Sequence, residues 1–271
     1  MIAKFRQLYK VKLIALLFLS GFVIVLAIFP ALNRSCRPVV ARDKINRIKL
    51  QWLKWFGRIL NLQINIDGQV TEESALIISN HISWLDIVAI GQHLPGYFVA
   101  KNDILRWPVI GYLSRQAGTV FIRRGDKQAI HETTERMSWL LKQNSKVFAF
   151  PEGTTSQGKD VLPFHSSLLQ PALLTRAAIQ PLALQYEGEA KTFAPFVGDD
   201  AFIPHLFKLL ALRKIEISMT ILPVLEAADK SRPQLSKEAH ECISNAIKTG
   251  SPAICRPSIS TPISRKQSSA L

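Results

Sequence analysis

The chain has 271 residues, with 34 Lys and Arg against 20 Asp and Glu, for a formal charge of +14. That length buries a full core, so one globular domain with an appendage is expected, and so basic a balance points to an anionic partner: nucleic acid, a membrane surface or an acidic substrate. The three cysteines, Cys36, Cys242 and Cys255, are odd in number, far apart and free of CxxC or Cys/His spacing, which argues against a disulfide framework and a zinc site and suits a reducing compartment.

Lys10 and Lys12 precede "LIALLFLSGFVIVLAIFPAL", residues 13–32, which carries no charge. As a helix it rises roughly 30 Å, enough to cross the hydrocarbon core of a bilayer. A cleaved signal peptide is the rival, but its apolar core runs about 7–15 residues and ends in small residues. This one is longer and runs into Phe29-Pro30, so an uncleaved membrane anchor over residues 1–36 is expected. Basic residues flank both ends. The positive-inside balance tips toward a cytoplasmic C-terminal side, hence an active site on the cytoplasmic face of the inner membrane.

In "RDKINRIKLQWLKWFGRILNLQ", residues 42–63, Ile45, Ile48, Trp52, Trp55, Phe56 and Ile59 recur at helical spacing, with Arg42, Lys44, Arg47, Lys49, Lys54 and Arg58 on the polar side. A surface helix packing its stripe on the domain has the same pattern. Directly after an anchor, a basic Trp-bearing helix over residues 37–61 is expected to lie in the headgroup layer. Basic residues interleaved with that stripe, and no recognised nucleic-acid motif, set nucleic acid aside.

From residue 62 short β-rich runs alternate with helical stretches: "LQINID", "ALIIS", "YFVA", "TVFIR", "KVFAF", "IQPLALQY" and "IEISMTILPV". The clearest helix is "DKQAIHETTERMSWLLKQN", where Asp126 can cap and Ile130, Met137, Leu140 and Leu141 share a face. The pattern predicts an α/β domain over residues 62–249, a mixed central sheet flanked by helices, with its polar site at strand ends. Residues 250–271, rich in Ser and Pro, read as a disordered tail.

Three strand exits are polar. In "LIISNHISWLDIVAIG", residues 76–91, Asn80, His81, Ser83 and Asp86 cut an apolar run. On one continuous helix His81 and Asp86 would lie about 140° apart. If the strand ends at Ser79 and the helix starts near Ser83, the carboxylate reaches back to an imidazole in the turn. That contact fixes the tautomer and leaves the other ring nitrogen as a base. Taken alone the spacing is a weak signal, and a strand-end histidine with an ordinary first-turn acid is the better account of it. In "FAFPEGTTSQG", residues 148–158, Pro151 ends the ladder, Glu152 is a lone acid, Gly153 allows close backbone approach, and Thr154, Thr155 and Ser156 offer hydroxyls and amides to an anion. In "AGTVFIRRGD", residues 117–126, the guanidiniums of Arg123 and Arg124 leave a strand end with forks suited to phosphate or carboxylate. A solvated strand end is the blander account of those arginines; three such exits in order are hard to obtain from packing alone.

Jointly these blocks resemble the glycerolipid acyltransferases typified by bacterial 1-acyl-glycerol-3-phosphate acyltransferases. The family's NHxxxxD block is matched by Asn80, His81 and Asp86, its Gly-strand-Arg block by Gly118 to Arg124, and its FPEGT block by Phe150 to Thr154. Its proline-bearing strand is matched by Ile179 to Leu182, and Lys101 falls where the family often carries a basic residue. The blocks span roughly residues 75–185. Two positions depart: Arg123 stands where many members have an acid, and Thr155 where EGTRS has an arginine. "EGTTS", "VLPFHSSL" and "FVGDDAFIPHL" are similar to the lyso-ornithine-lipid acyltransferase branch, whose acceptor bears a carboxylate and an amine in place of phosphate.

The resemblance implies that His81 takes a proton from an acceptor hydroxyl, which attacks an acyl thioester, while Asp86 orients the histidine. It implies substrate-binding roles for Asn80, Lys101, Arg123, Arg124, Glu152, Gly153, Thr154 and Thr155. The implied acceptor is 1-acyl-sn-glycerol-3-phosphate, giving phosphatidate in phospholipid biosynthesis, with lyso-ornithine lipid as the alternative. Acyl-CoA or acyl carrier protein is the implied co-substrate, with no further cofactor and no metal. Two rivals come from other classes. A serine lipid hydrolase would use Ser83, although three groups within six residues rarely converge and no GxSxG elbow is present. A membrane-tethered anion-binding protein would do no chemistry. His93, His131, His205 and His240 read as surface or capping residues, and His165 as a neighbour of the acceptor path.

Overall fold

A computed structural model describes residues 2–123, 127–227 and 229–250. Arg124, the Asp126 cap and the Ser/Pro-rich tail from residue 251 fall outside the described residues. The chain opens with α1 (Ile2–Val23), a π-helical turn (Ile24–Ile28) and α2 (Phe29–Ser35). Pro30 lacks an N–H and would crowd the carbonyl four residues back; widening the preceding turn to π geometry absorbs the misfit without breaking the rod. Arg6–Ser35 is long and apolar enough to cross a membrane. α3 (Pro38–Leu60) folds back along it, opened by Pro38 and closed by Asn61 in the left-handed region, φ 60°.

The α/β part follows as β1 (Leu62–Asp67), β2 (Ala75–Ser79), α4 (Leu85–Gly91), β3 (Tyr97–Lys101), α5 (Pro108–Gln116), β4 (Val120–Ile122), α6 (Lys127–Lys142) and β5 (Lys146–Ala149). Next come α7 (Gln170–Thr175), β6 (Ala178–Glu187), α8 (Ala190–Phe193), α9 (Phe202–Ala211), β7 (Ile215–Ile221) and α10 (Arg232–Thr249). All seven expected strands form one sheet, ordered β1-β7-β6-β2-β5-β3-β4. β6 and β7 pair antiparallel and the other neighbours parallel, so the sheet is mixed, as expected.

Strand alternation divides the core in two. Ala75 and Ile77 of β2 face the side covered by α3, α4 and α9, whereas Leu76 and Ile78 face α6, α7 and α10. The neighbouring strands β2 and β5 therefore send their chains to opposite faces, and that divergence opens a crevice at their carboxyl ends.

The N-terminal helices belong to the same core. Phe56 and Leu60 of α3 are buried beside the sheet, with Trp52, Leu53 and Ile59 packed against them. α1 and the domain thus cover much of the stripe that was expected to face the headgroup layer, and Trp52 Nε1 donates to the Leu17 carbonyl at 3.0 Å. Trp55 remains 51% exposed. A methyl group on Gly57 or Gly91 would strike Gln92 or Leu53, so α3 and α4 approach closely and α4 is held in place. Arg6 and Lys10 donate to the carbonyls of Ala211 and Leu212 at the end of α9, 2.6 and 3.3 Å, where cations complement orphan carbonyls. The opposite side of α1 and of the π-helical turn leaves Leu16, Leu19, Val23 and Leu26 more than half exposed. Cys242 is disulfide-bonded, where the cysteine spacing had argued against a disulfide framework.

Candidate active site

His81 lies in the turn after β2 and Asp86 in the first turn of α4. Asp86 is fully buried, and Oδ2 accepts from the His81 ring at Nδ1, 2.8 Å, and from the peptides of Ile82 and Ser83, 2.7 and 3.0 Å. Its Oδ1 accepts the Tyr186 hydroxyl at 2.6 Å. The carboxylate can only accept, so Nδ1 carries the proton and Nε2 keeps its lone pair. Tyr186 stays a donor because burial, with the Asp86 charge adding to it, pushes its ionisation well above the usual tyrosine range. The His81 ring stacks on Phe150, centroids 4.0 Å apart and planes at 14°. With 18% of its side chain exposed, His81 is sheltered yet reachable.

The turn after β5 closes on the same histidine. The Ser156 peptide donates to the His81 carbonyl at 2.8 Å, and the His81 peptide donates to Oε1 of Glu152 at 2.8 Å. A third segment joins them: Phe196 donates its N–H to the Ile82 carbonyl at 3.0 Å and accepts the Thr155 hydroxyl on its own carbonyl. Thus strand exits 70 residues apart in sequence form one unit.

A cavity of about 810 Å³ starts there, lined by His81, Phe150, Gly153, Thr154 and Thr155. It runs along α4, where Trp84, Ile87, Val88 and Gly91 recur at helical spacing, to Gly96 and Tyr97 at the start of β3. Leu76 and Tyr97 both pair with Val147, five residues below His81, so the cavity follows roughly 17 Å of strand. Phe18 and Gly21 of α1 and Trp52 and Phe56 of α3 complete an apolar wall. At the far end Lys49 donates to the carbonyls of Gly96 and Ala117, both 3.1 Å, and burial lowers its pKa to about 7.

The expected site residues therefore separate. Lys101, Gly153, Thr154, Thr155 and His165 line the cavity with His81. Asn80 does not: buried, it exchanges both amide hydrogen bonds with the Leu184 backbone, 2.8 and 3.0 Å, and fastens the end of β2 to β6. Glu152 is likewise turned onto backbone. Arg123 is exposed at the end of β4 and is not among the lining residues. Ser83 is fully buried and does not line the cavity, so it cannot present a nucleophile there. Among the described residues, no group of three or more His, Cys, Asp or Glu could hold a metal ion.

His205, read as a surface or capping residue, is 2% exposed. Its Nδ1 accepts from Trp84 Nε1 at 3.0 Å and its Nε2 meets the Pro195 carbonyl at 3.2 Å. Burial lowers its pKa and favours the neutral ring that this pairing requires. Its position three residues after Phe202 on an apolar helix was the available signal.

A model of the acyltransferase family matches residues 61–185. The lyso-ornithine lipid O-acyltransferase of Pseudomonas aeruginosa is 32% identical over 205 residues, 74% of this chain and 78% of that protein. This chain is an acyltransferase-family member. The 1-acyl-sn-glycerol-3-phosphate acyltransferase of Neisseria gonorrhoeae is also 32% identical, over 187 residues, 68% of this chain and 73% of that one. The crystal structure of the acyltransferase PlsC from Thermotoga maritima superposes with a TM-score of 0.63 at 18% identity, covering 90% and 96% of the two chains, which establishes a common fold. The acyltransferase is thus an enzyme of the lysolipid-acylating family, and the rivals without chemistry or with a serine nucleophile fall away.

Proposed function

We propose that this acyltransferase moves a fatty acyl group from an acyl thioester, carried by coenzyme A or acyl carrier protein, to the free hydroxyl of a lysolipid. The observation that carries it is the His81 imidazole, held by Asp86 in the Nδ1–H tautomer and lining a long apolar cavity. His81 Nε2 takes the acceptor's hydroxyl proton as the oxygen adds to the thioester carbonyl. The intermediate then expels the thiolate, which takes the proton back, so one ester forms as one thioester breaks. A positioned base contributes about 10²–10⁴-fold. Holding two lipids in line along the cavity supplies much of the remainder.

Lyso-ornithine lipid suits the wall better than 1-acyl-sn-glycerol-3-phosphate. Lys101, Asp103 and Asp200 line the same cavity as His81, a mixed charge that suits both a carboxylate and an ammonium. A phosphate dianion would face two acids, and Thr155 stands in the arginine's place with its hydroxyl committed to Phe196. The glycerophosphate reading keeps the support of the Neisseria relative. α1, with its exposed apolar side, keeps the cavity mouth at the bilayer, on the cytoplasmic side by charge balance. The test offers the purified enzyme both lysolipids with labelled acyl-CoA and acyl carrier protein. Preferential acylation of lyso-ornithine lipid is expected; preference for the glycerophosphate would reverse the choice of acceptor.

A further inference from the structure

Glu152 lies beside the reacting centre without lining the cavity. It is 4% exposed, and its carboxylate divides between two peptides: Oε1 accepts the His81 N–H at 2.8 Å and Oε2 the Leu162 N–H at 3.2 Å. The next turn of the same segment holds the His81 carbonyl through Ser156. Both peptide groups flanking the histidine are therefore clamped by residues 152–156, while Phe150 fixes the plane of the ring and Asp86 its rotation. A carboxylate is the side-chain group that accepts at both ends; an amide of equal length turns a donor toward one of the two N–H groups.

We propose that Glu152 is a positioning residue that acts on His81 through the backbone and sets the imidazole against Asp86 and Phe150, and that it does not bind the acceptor. This rests on the acyl-transfer reading above. Its charge state matters to that role. Burial pushes its pKa up to about 7, with the two peptide N–H groups opposing and the neighbouring Asp86 charge adding to the rise. On the acidic side of neutrality the carboxyl gains a proton, its grip on the His81 peptide weakens, and the base is less well held. A misplacement of about 1 Å costs on the order of 10²-fold in rate.

The test uses the full-length enzyme in lipid vesicles, comparing wild type, Glu152→Gln and Glu152→Ala by kcat, acceptor KM, pH profile and hydrogen exchange at the His81 amide. Glu152→Gln retains one acceptor for His81, so its kcat is expected to fall about tenfold with acceptor KM within about twofold, and Glu152→Ala to lose about 10²-fold. The acidic limb of the Gln variant should be shallower by one ionisation, and amide protection at His81 should survive in Gln and vanish in Ala. A Gln variant with wild-type kcat and a raised acceptor KM would overturn the proposal, making Glu152 an acceptor ligand. Unchanged His81 protection in the Ala variant would overturn it too. A wild-type enzyme that transfers no acyl group would strike down the acyl-transfer reading, and the exchange measurement would still decide the backbone contact.

Discussion

Tyr186 donates its hydroxyl to Oδ1 of Asp86 at 2.6 Å, so a residue of β6 completes the coordination of a carboxylate on α4 one hundred residues earlier. Asp86→Asn replaces an acceptor by a group that must turn an N–H₂ toward other donors. The rate of acyl transfer is expected to fall about 10²–10⁴-fold while lysolipid affinity holds. Tyr186→Phe leaves the pair intact and strands one lone pair, costing about 1.5–3 kcal/mol by urea denaturation with a smaller loss of rate.

Thr155 joins the turn after β5 to the segment around Phe196. Thr155→Val keeps the shape and removes the hydroxyl, leaving the Phe196 carbonyl without that donor. Loosening that wall should raise acceptor KM about three- to tenfold, a loss of about 0.5–1.5 kcal/mol for one neutral hydrogen bond, with kcat little changed in steady-state assays.

The raised pKa of Glu152 has a thermodynamic consequence with a definite sign. Its carboxyl moves from the usual 4.5 to about 7 in the folded state. Between those values the native protein keeps a proton that the unfolded chain releases. The stability tied to that proton is complete below about 4.5 and is lost as pH rises toward 7. Wild type should therefore lose on the order of 1–3 kcal/mol relative to Glu152→Gln across that window and run parallel to it above. Thermal denaturation of both proteins from pH 4.5 to 8 reads this directly.

The exposed side of α1 carries Leu16 and Leu19, 62% and 61% exposed, while Ile14 is buried in the domain. Leu16→Asp with Leu19→Asp should release the enzyme from vesicles in flotation assays, since a charged residue at the centre of a bilayer helix costs about 2.5–3.5 kcal/mol. The fold should survive, because these positions lack core contacts. Activity on lysolipid in detergent micelles should persist.

Much of this was legible because chemistry followed period. Alternation and turn residues gave seven strands, and the five-residue spacing of His81 and Asp86 allowed the two side chains to meet only across a strand-turn-helix geometry, which the chain adopts. Contacts whose partner is a peptide group were not legible. Asn80 and Glu152 are polar side chains flanking or facing His81, and in sequence they resemble ligands. Their partners are the backbones of Leu184, His81 and Leu162, which carry no side-chain signature. The fate of α3 depended on what covers its stripe, and the answer, α1 and the sheet, lies in tertiary packing. His205 gave a weak signal because Trp84, which it accepts from, is 121 residues away.

The proposed acyl transfer runs through the His81 base, and His81→Ala tests that step most directly. Single-turnover transfer of a labelled acyl group from thioester to lysolipid should slow by about 10²–10⁴-fold or more, with lysolipid binding to the same vesicle-bound enzyme unchanged. A His81→Ala enzyme that acylates its lysolipid at a rate near wild type would contradict the account.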